Sequence, residues 1–226
     1  MNINTSAATV LAYGDSNTYG QKPDRSGRFD ANKRWPGVLQ AKLGDKFYVI
    51  EEGLGGRTTD LEHPNPKKPS RNGLTYFAAC LESHSPLDFV IIMLGTNDFK
   101  VAYDRTAQDI ADALNKYIDS IIAAYDSTPN RPKVLLVSPP HMDDTAPQFY
   151  SSMPTPGAYD QTSIQKSREL ALHLRKLASD TGSYFLDSAD LTQAGEDGLH
   201  ITEPSHKRLG QEVAALVESI NGGKLL

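Results

Sequence analysis

With 226 residues, 38% of them hydrophobic and 23% charged, the chain has the makeup of a water-soluble globular protein with enough apolar material for one sizeable core. Its net charge of −5 and scattered lysines and arginines exclude an electrostatic nucleic-acid surface, and Pro66-Lys67-Lys68-Pro69 is too short to count as a basic tract. The lone cysteine, Cys80, excludes an internal disulfide framework, and no stretch approaches the ~20 apolar residues of a membrane span.

Residues Met1 to Ala8 carry no basic segment followed by an apolar run of signal-peptide length, so the expected compartment is the cytoplasm, with no membrane and no nucleic-acid partner. The first apolar run, Ala8–Tyr13, reads as a strand. It stops at Gly14-Asp15-Ser16-Asn17. Glycine tolerates backbone angles that other residues resist, and the short polar side chains bond to nearby amides, so this segment turns sharply and presents Ser16 at a strand tip. Gln21–Arg34 is polar and irregular, and Pro36–Leu43 reads as a helix with proline in its first turn.

A second strand is expected at Phe47–Glu51, leading into Gly53-Leu54-Gly55-Gly56-Arg57-Thr58. Leu74–Glu82 follows as a helix with Cys80 on its buried face. The third run, Phe89–Leu94, and the fourth, Val134–Ser138, are β-rich and apolar at consecutive positions, as strands covered on both faces require. Between them, Thr106–Tyr125 keeps Ile110, Leu114, Ile118, Ile121 and Ile122 on one helical face. Pro139–Tyr159 holds five prolines and reads as a long loop, either a surface flap or a pocket wall built from Phe149, Tyr150 and Met153. A helix over Asp160–Thr181, a strand at Ser183–Leu186 and a helix from Glu203 to Ile220 complete the chain. Alternation of this kind predicts one α/β domain over 1–226, a five-stranded parallel sheet with helices on both faces.

Ligands of open parallel sheets bind beyond the carboxyl ends of the strands. Ser16 follows the first strand, Gly56 the second, Asn97 in Gly95-Thr96-Asn97-Asp98 the third, and Asp197-Gly198-Leu199-His200 the fifth. A serine hydroxyl is a weak nucleophile near neutral pH and needs a base, for which His200 is the candidate. Asp197, three residues earlier, can hold the imidazole in one tautomer. The tetrahedral oxyanion then requires fixed donors, expected from the Ser16 and Gly56 backbone N–H groups and the Asn97 side-chain amide. His141, after the fourth strand, is the rival base. Asp15 and Asn17 are read as shaping the turn, Arg57, Thr58 and Thr59 as ordering the glycine loop, and Trp35 as packing. Asp143-Asp144 near His141 lacks further ligands at suitable spacing, so no metal site is expected.

These four blocks resemble those of the SGNH (GDSL) hydrolase superfamily, with Gly14-Asp15-Ser16-Asn17, Gly56, Gly95-Thr96-Asn97-Asp98 and Asp197-x-x-His200 in order. The resemblance implies a flavodoxin-like three-layer α/β/α sandwich and esterase chemistry without cofactor, with Ser16, Gly56, Asn97, Asp197 and His200 in the roles above. Val49–Leu54, Arg57-Thr58-Thr59 and Arg34-Trp35-Pro36 are similar to the bacterial arylesterase and acyltransferase branch, which implies short acyl esters as substrates, acyl transfer to alcohols in some members, and homo-oligomers in several. Asn17 departs from the leucine of many members. Two other readings stand beside this one. A sugar deacetylase would use the same site behind polar walls, and a flavin carrier would use Ser16–Gly20 as a phosphate loop.

Overall fold

The structure, a computed structural model, describes residues 4–63, 65–152 and 159–223. Five strands, β1 (Ala8–Gly14), β2 (Phe47–Gly53), β3 (Phe89–Met93), β4 (Lys133–Val137) and β5 (Tyr184–Leu186), form one parallel sheet in the order β2-β1-β3-β4-β5. β1 and β3 are central, which is why their side chains are apolar on both faces: every residue from Val10 to Tyr13 and from Phe89 to Met93 is buried.

Successive strand side chains point to opposite faces, and this alternation divides the core in two. Leu11, Tyr13, Val90, Ile92 and Leu136 face one apolar cluster. There they meet Phe77 of α3 (Gly73–His84), Ile110 and Leu114 of α4 (Ala107–Ala124), and Leu170 and Leu174 of α6 (Gln161–Thr181). Val10, Ala12, Ile91, Met93 and Leu135 face the other cluster. This one is closed by Trp35 and Leu39 of α2 (Trp35–Leu43) with Leu209 and Val213 of α7 (Glu203–Asn221). The result is the expected three-layer sandwich.

Helix ends follow local chemistry. Thr106 and Asp109 form a reciprocal capping box at the start of α4, and Asp160 with Ser163 does the same for α6. Two elements depart from the sequence expectation. Ser16–Tyr19 is a one-turn helix, α1, and Ala146–Ser151 is a second short helix, α5, inside the stretch expected to be loop. Neither is long enough to display a 3.6-residue period. Ile122, expected on the buried face of α4, is instead 38% exposed, because it lies just past the edge of the stripe set by Ile118 and Ile121.

Candidate active site

The chain leaves β1 at Gly14, where a side chain would sit 2.7 Å from the Met93 carbonyl oxygen, so only glycine lets β1 turn against β3 here. Asp15 then caps α1, its Oδ1 accepting the Asn17 backbone N–H at 2.9 Å. Ser16 is thereby the first residue of a single helical turn that ends at Gly20, whose φ is +84°. Gly53 admits this turn: a side chain there would stand 2.2 Å from the Tyr19 backbone nitrogen.

Against the Ser16 hydroxyl lies His200, with Nε2 2.9 Å from Oγ. Nδ1 of the same ring is 2.5 Å from Oδ2 of Asp197. The turn that aligns them is held by the same carboxylate, whose Oδ1 accepts the backbone N–H groups of Leu199 (3.0 Å) and His200 (2.8 Å). Burial acts to raise the pKa of Asp197. The His200 side chain and the two amide bonds outweigh it and hold the group below the ordinary carboxylate value, so the acid is an anion bonded to the far ring nitrogen. The Tyr150 hydroxyl of α5 donates to Oδ2 as well, at 3.1 Å. Burial, reinforced by the Asp197 charge, keeps this phenol protonated and therefore a donor.

Asn97 stands after β3 with its amide fixed at both ends. Its Nδ2 donates to the Arg57 carbonyl at 3.0 Å, and its Oδ1 accepts from Nζ of Lys100 at 2.6 Å. Rotating the amide would set its oxygen against the Arg57 carbonyl, so Nδ2 stays on that side and keeps a second N–H for the cavity. Lys100 is buried, and that burial lowers its pKa to about 7 despite the neighbouring Asp98. Asp98 in turn accepts the backbone N–H and the hydroxyl of Thr59 and pairs with Arg105, tying the Asn97 block to the glycine loop. Burial raises its pKa to about 6.

In that loop Gly56 has φ +82° and its amide has no acceptor among the described residues. A side chain on Gly55 would come within 4.0 Å of Ser16 Cβ, which sets the loop against the hydroxyl. Arg57 is buried, bonds the Gly14 carbonyl at 2.9 Å and the Glu52 carbonyl, and stacks over the Tyr13 ring.

Ser16, Gly56, Asn97 and His200 all line one cavity of about 390 Å³. Its walls include Tyr150 and Tyr159, both from the stretch expected as a flap or pocket wall, and Leu54 of the glycine loop. Phe149 packs against the core beside the Tyr150 ring and does not line this cavity, because α5 turns it away from Ser16. Met153 lies outside the described residues. Sequence reasoning also passed over the full part played by Asn17, whose Oδ1 accepts the Ile201 N–H at 3.0 Å and whose Nδ2 reaches the Leu199 carbonyl at 3.4 Å. Its only signal was the departure from leucine. Among the described residues the sole cluster with metal-ligand potential is Glu52, Cys80 and His84. Burial pushes the Cys80 thiol up to about 12, and Glu52 is paired with His84 at 3.0 Å.

A hydroxyl, an imidazole and a carboxylate in a hydrogen-bonded row, with amide donors converging on one cavity beyond the carboxyl ends of a parallel sheet, define a serine hydrolase. The sequence matches the GDSL-like lipase/acylhydrolase family over residues 12–208, and the chain belongs to that family of serine esterases. Its fold is similar to that of the aryl esterase of M. smegmatis, with 39% identity and a TM-score of 0.82 over 94% of this chain and 99% of that one. A carbohydrate acetylesterase from Sinorhizobium meliloti is similar at 36% identity and TM-score 0.81, covering 94% of this chain and 99% of the other. A carbohydrate acetylesterase family member from the same organism reaches TM-score 0.84 at 32% identity, over 95% of this chain and 99% of that one. No curated protein matches the sequence.

Proposed function

We propose that this esterase hydrolyses short-chain acyl esters through an acyl-serine. His200 takes the proton of Ser16 as Oγ attacks the ester carbonyl. The Ser16 and Gly56 amides and the Asn97 side chain receive the oxyanion, and the imidazolium returns its proton to the departing alcohol. Water, or an alcohol seated in its place, then attacks the acyl group with His200 again as base. The observation that carries this reading is the continuous row from Ser16 Oγ through His200 to Asp197, at 2.9 and 2.5 Å, opening on a cavity sized for a small ester.

A second reading, removal of acetyl groups from a carbohydrate, uses the same chemistry. It is favoured by the polar half of the cavity, where Gln21, His63 and Arg71 would meet hydroxyl groups. Two of the similar proteins bear carbohydrate acetylesterase names, which supports it further.

The deciding experiment is a panel of 4-nitrophenyl esters of rising acyl length together with acetylated sugars, run on the wild type and on Ser16→Ala. Turnover of the short esters is expected to vanish in the variant. Equal turnover by both proteins would remove Ser16 from the mechanism.

A further inference from the structure

Four side chains lining the cavity take no part in the proton transfers above. Arg25, Lys68 and Arg71 line the cavity, and none has a carboxylate within 4.0 Å among the described residues. Arg71 uses Nε on the Gly55 carbonyl (2.9 Å) and one terminal nitrogen on the Pro69 carbonyl (2.7 Å), and its second terminal nitrogen has no hydrogen-bond partner among the described residues. Arg25 rests over the Tyr150 ring at 5.9 Å. The fourth is His63, only 7% exposed. Its Nδ1 accepts the Asn65 N–H at 3.0 Å, which puts the ring proton on Nε2. That N–H has no acceptor among the described residues and lies beside Gly56, where a β-carbon would be 3.8 Å away.

Among the described residues no Asp or Glu lines the cavity. The acids behind its walls are committed elsewhere: Asp197 to His200, Asp15 to the Asn17 amide, Asp98 to Thr59 and Arg105, and Asp24 to Ser26. The cations feel one another instead. Burial depresses the Lys68 pKa, and Arg25 and Arg71 add to the depression. Several positive groups and a buried imidazole N–H, gathered without a counter-charge around one cavity, raise one another's energy unless something negative completes them.

We propose that the ester this site accepts carries a negatively charged group, a carboxylate or a group of like charge, bound by Arg25, Lys68, Arg71 and the Nε2–H of His63. The inference rests on the esterase reading and narrows it to a substrate class. The charge can belong to the acyl chain or to the alcohol, and the chemistry of capture is the same for both.

Two matched pairs of substrates separate these sources. Mono-4-nitrophenyl glutarate against 4-nitrophenyl pentanoate places the charge on the acyl side. The 3-acetoxybenzoate anion against its methyl ester places it on the alcohol side. After subtraction of the uncatalysed rate, kcat/KM for the charged member of at least one pair is expected to exceed its neutral counterpart by about tenfold, the lower end of what a hydrogen bond to a charged group contributes. Raising the salt to about 1 M should shrink that ratio, since the Debye length then falls to roughly 3 Å. Lys68→Glu should bring the ratio below one. Lys68→Gln combined with Arg25→Gln, a milder pair of surface changes, should bring it near one. Neutral members preferred in both pairs, or a ratio indifferent to these substitutions, would overturn the proposal while leaving the esterase intact. Failure of the wild type to turn over any of the four esters would remove the esterase reading and this one with it.

Discussion

Removing the Asn97 side chain tests the electrostatic half of the mechanism. In Asn97→Ala the cavity loses the N–H left over once Nδ2 has bonded Arg57 and Lys100 has claimed Oδ1. A fixed donor of this kind contributes about 2.7–4 kcal/mol to the transition state, so kcat should fall roughly 100- to 1000-fold. KM should hardly change, because the donor meets the oxyanion and not the ground-state carbonyl. Asn97→Asp sharpens the test. It keeps the volume and strengthens the 2.6 Å contact to Lys100, yet replaces the donor with an acceptor facing developing negative charge. Its loss in kcat should equal or exceed that of the alanine variant, and the thermal midpoint should fall in both, since each leaves the Arg57 carbonyl without its Nδ2 donor. The assay is steady-state hydrolysis of 4-nitrophenyl acetate, with circular dichroism to check folding. Retention of more than about a tenth of kcat by either folded variant, or a loss confined to KM, would refute the reasoning.

Asp197→Asn removes the charge that fixes the His200 tautomer and should lower kcat by about 10⁴, measured as above, with a drop of less than tenfold arguing against Asp197 as orienter. Asn17→Leu strands the Ile201 N–H and the Leu199 carbonyl without their side-chain bonds, at about 1–3 kcal/mol for each buried group. Chemical denaturation should register the loss, and kcat should fall more than KM rises as the base loop loosens. Stability should also depend on pH through His206, whose Nδ1 accepts the Trp35 N–H at 3.2 Å and whose burial lowers its pKa to about 3. The unfolded chain takes up a proton near pH 6.5 that the fold refuses, so this contribution is complete above about 6.5 and declines as pH falls towards 3, by at most ~1.4 kcal/mol per unit. Thermal midpoints of wild type and His206→Gln should therefore converge as pH is lowered from 7 to 4.5, and a constant gap would count against the assignment.

The layout of the sandwich was legible because each strand and long helix carries its own periodicity and, for α4 and α6, its own cap. The row from Ser16 to His200 was legible for another reason. Hydroxyl, base and acid constrain one another chemically, so residues 184 positions apart could be matched by role. Groups that act by bracing others left no such mark. Lys100 is one lysine in a short loop until its Nζ is seen on Asn97, and Tyr150 sits in a proline-rich stretch whose one-and-a-half-turn helix is too short to declare itself. Its contact with Asp197 spans 47 positions and belongs to the tertiary fold alone. Phe149 and Tyr150 are neighbours of similar character, and only the rotation of α5 decides which of them faces Ser16.

Asn17 moors the segment bearing His200 to α1, the helical turn that follows β1. The three-residue edge strand β5, nearest to that segment along the chain, is paired on one side only. Fraying at that border would therefore not carry the imidazole away from its hydroxyl, since the Ile201 amide is latched to the far more protected start of α1. Hydrogen exchange should accordingly be slower at Ile201 than at Leu186, and the reactive geometry should outlast loosening of the rim beside it.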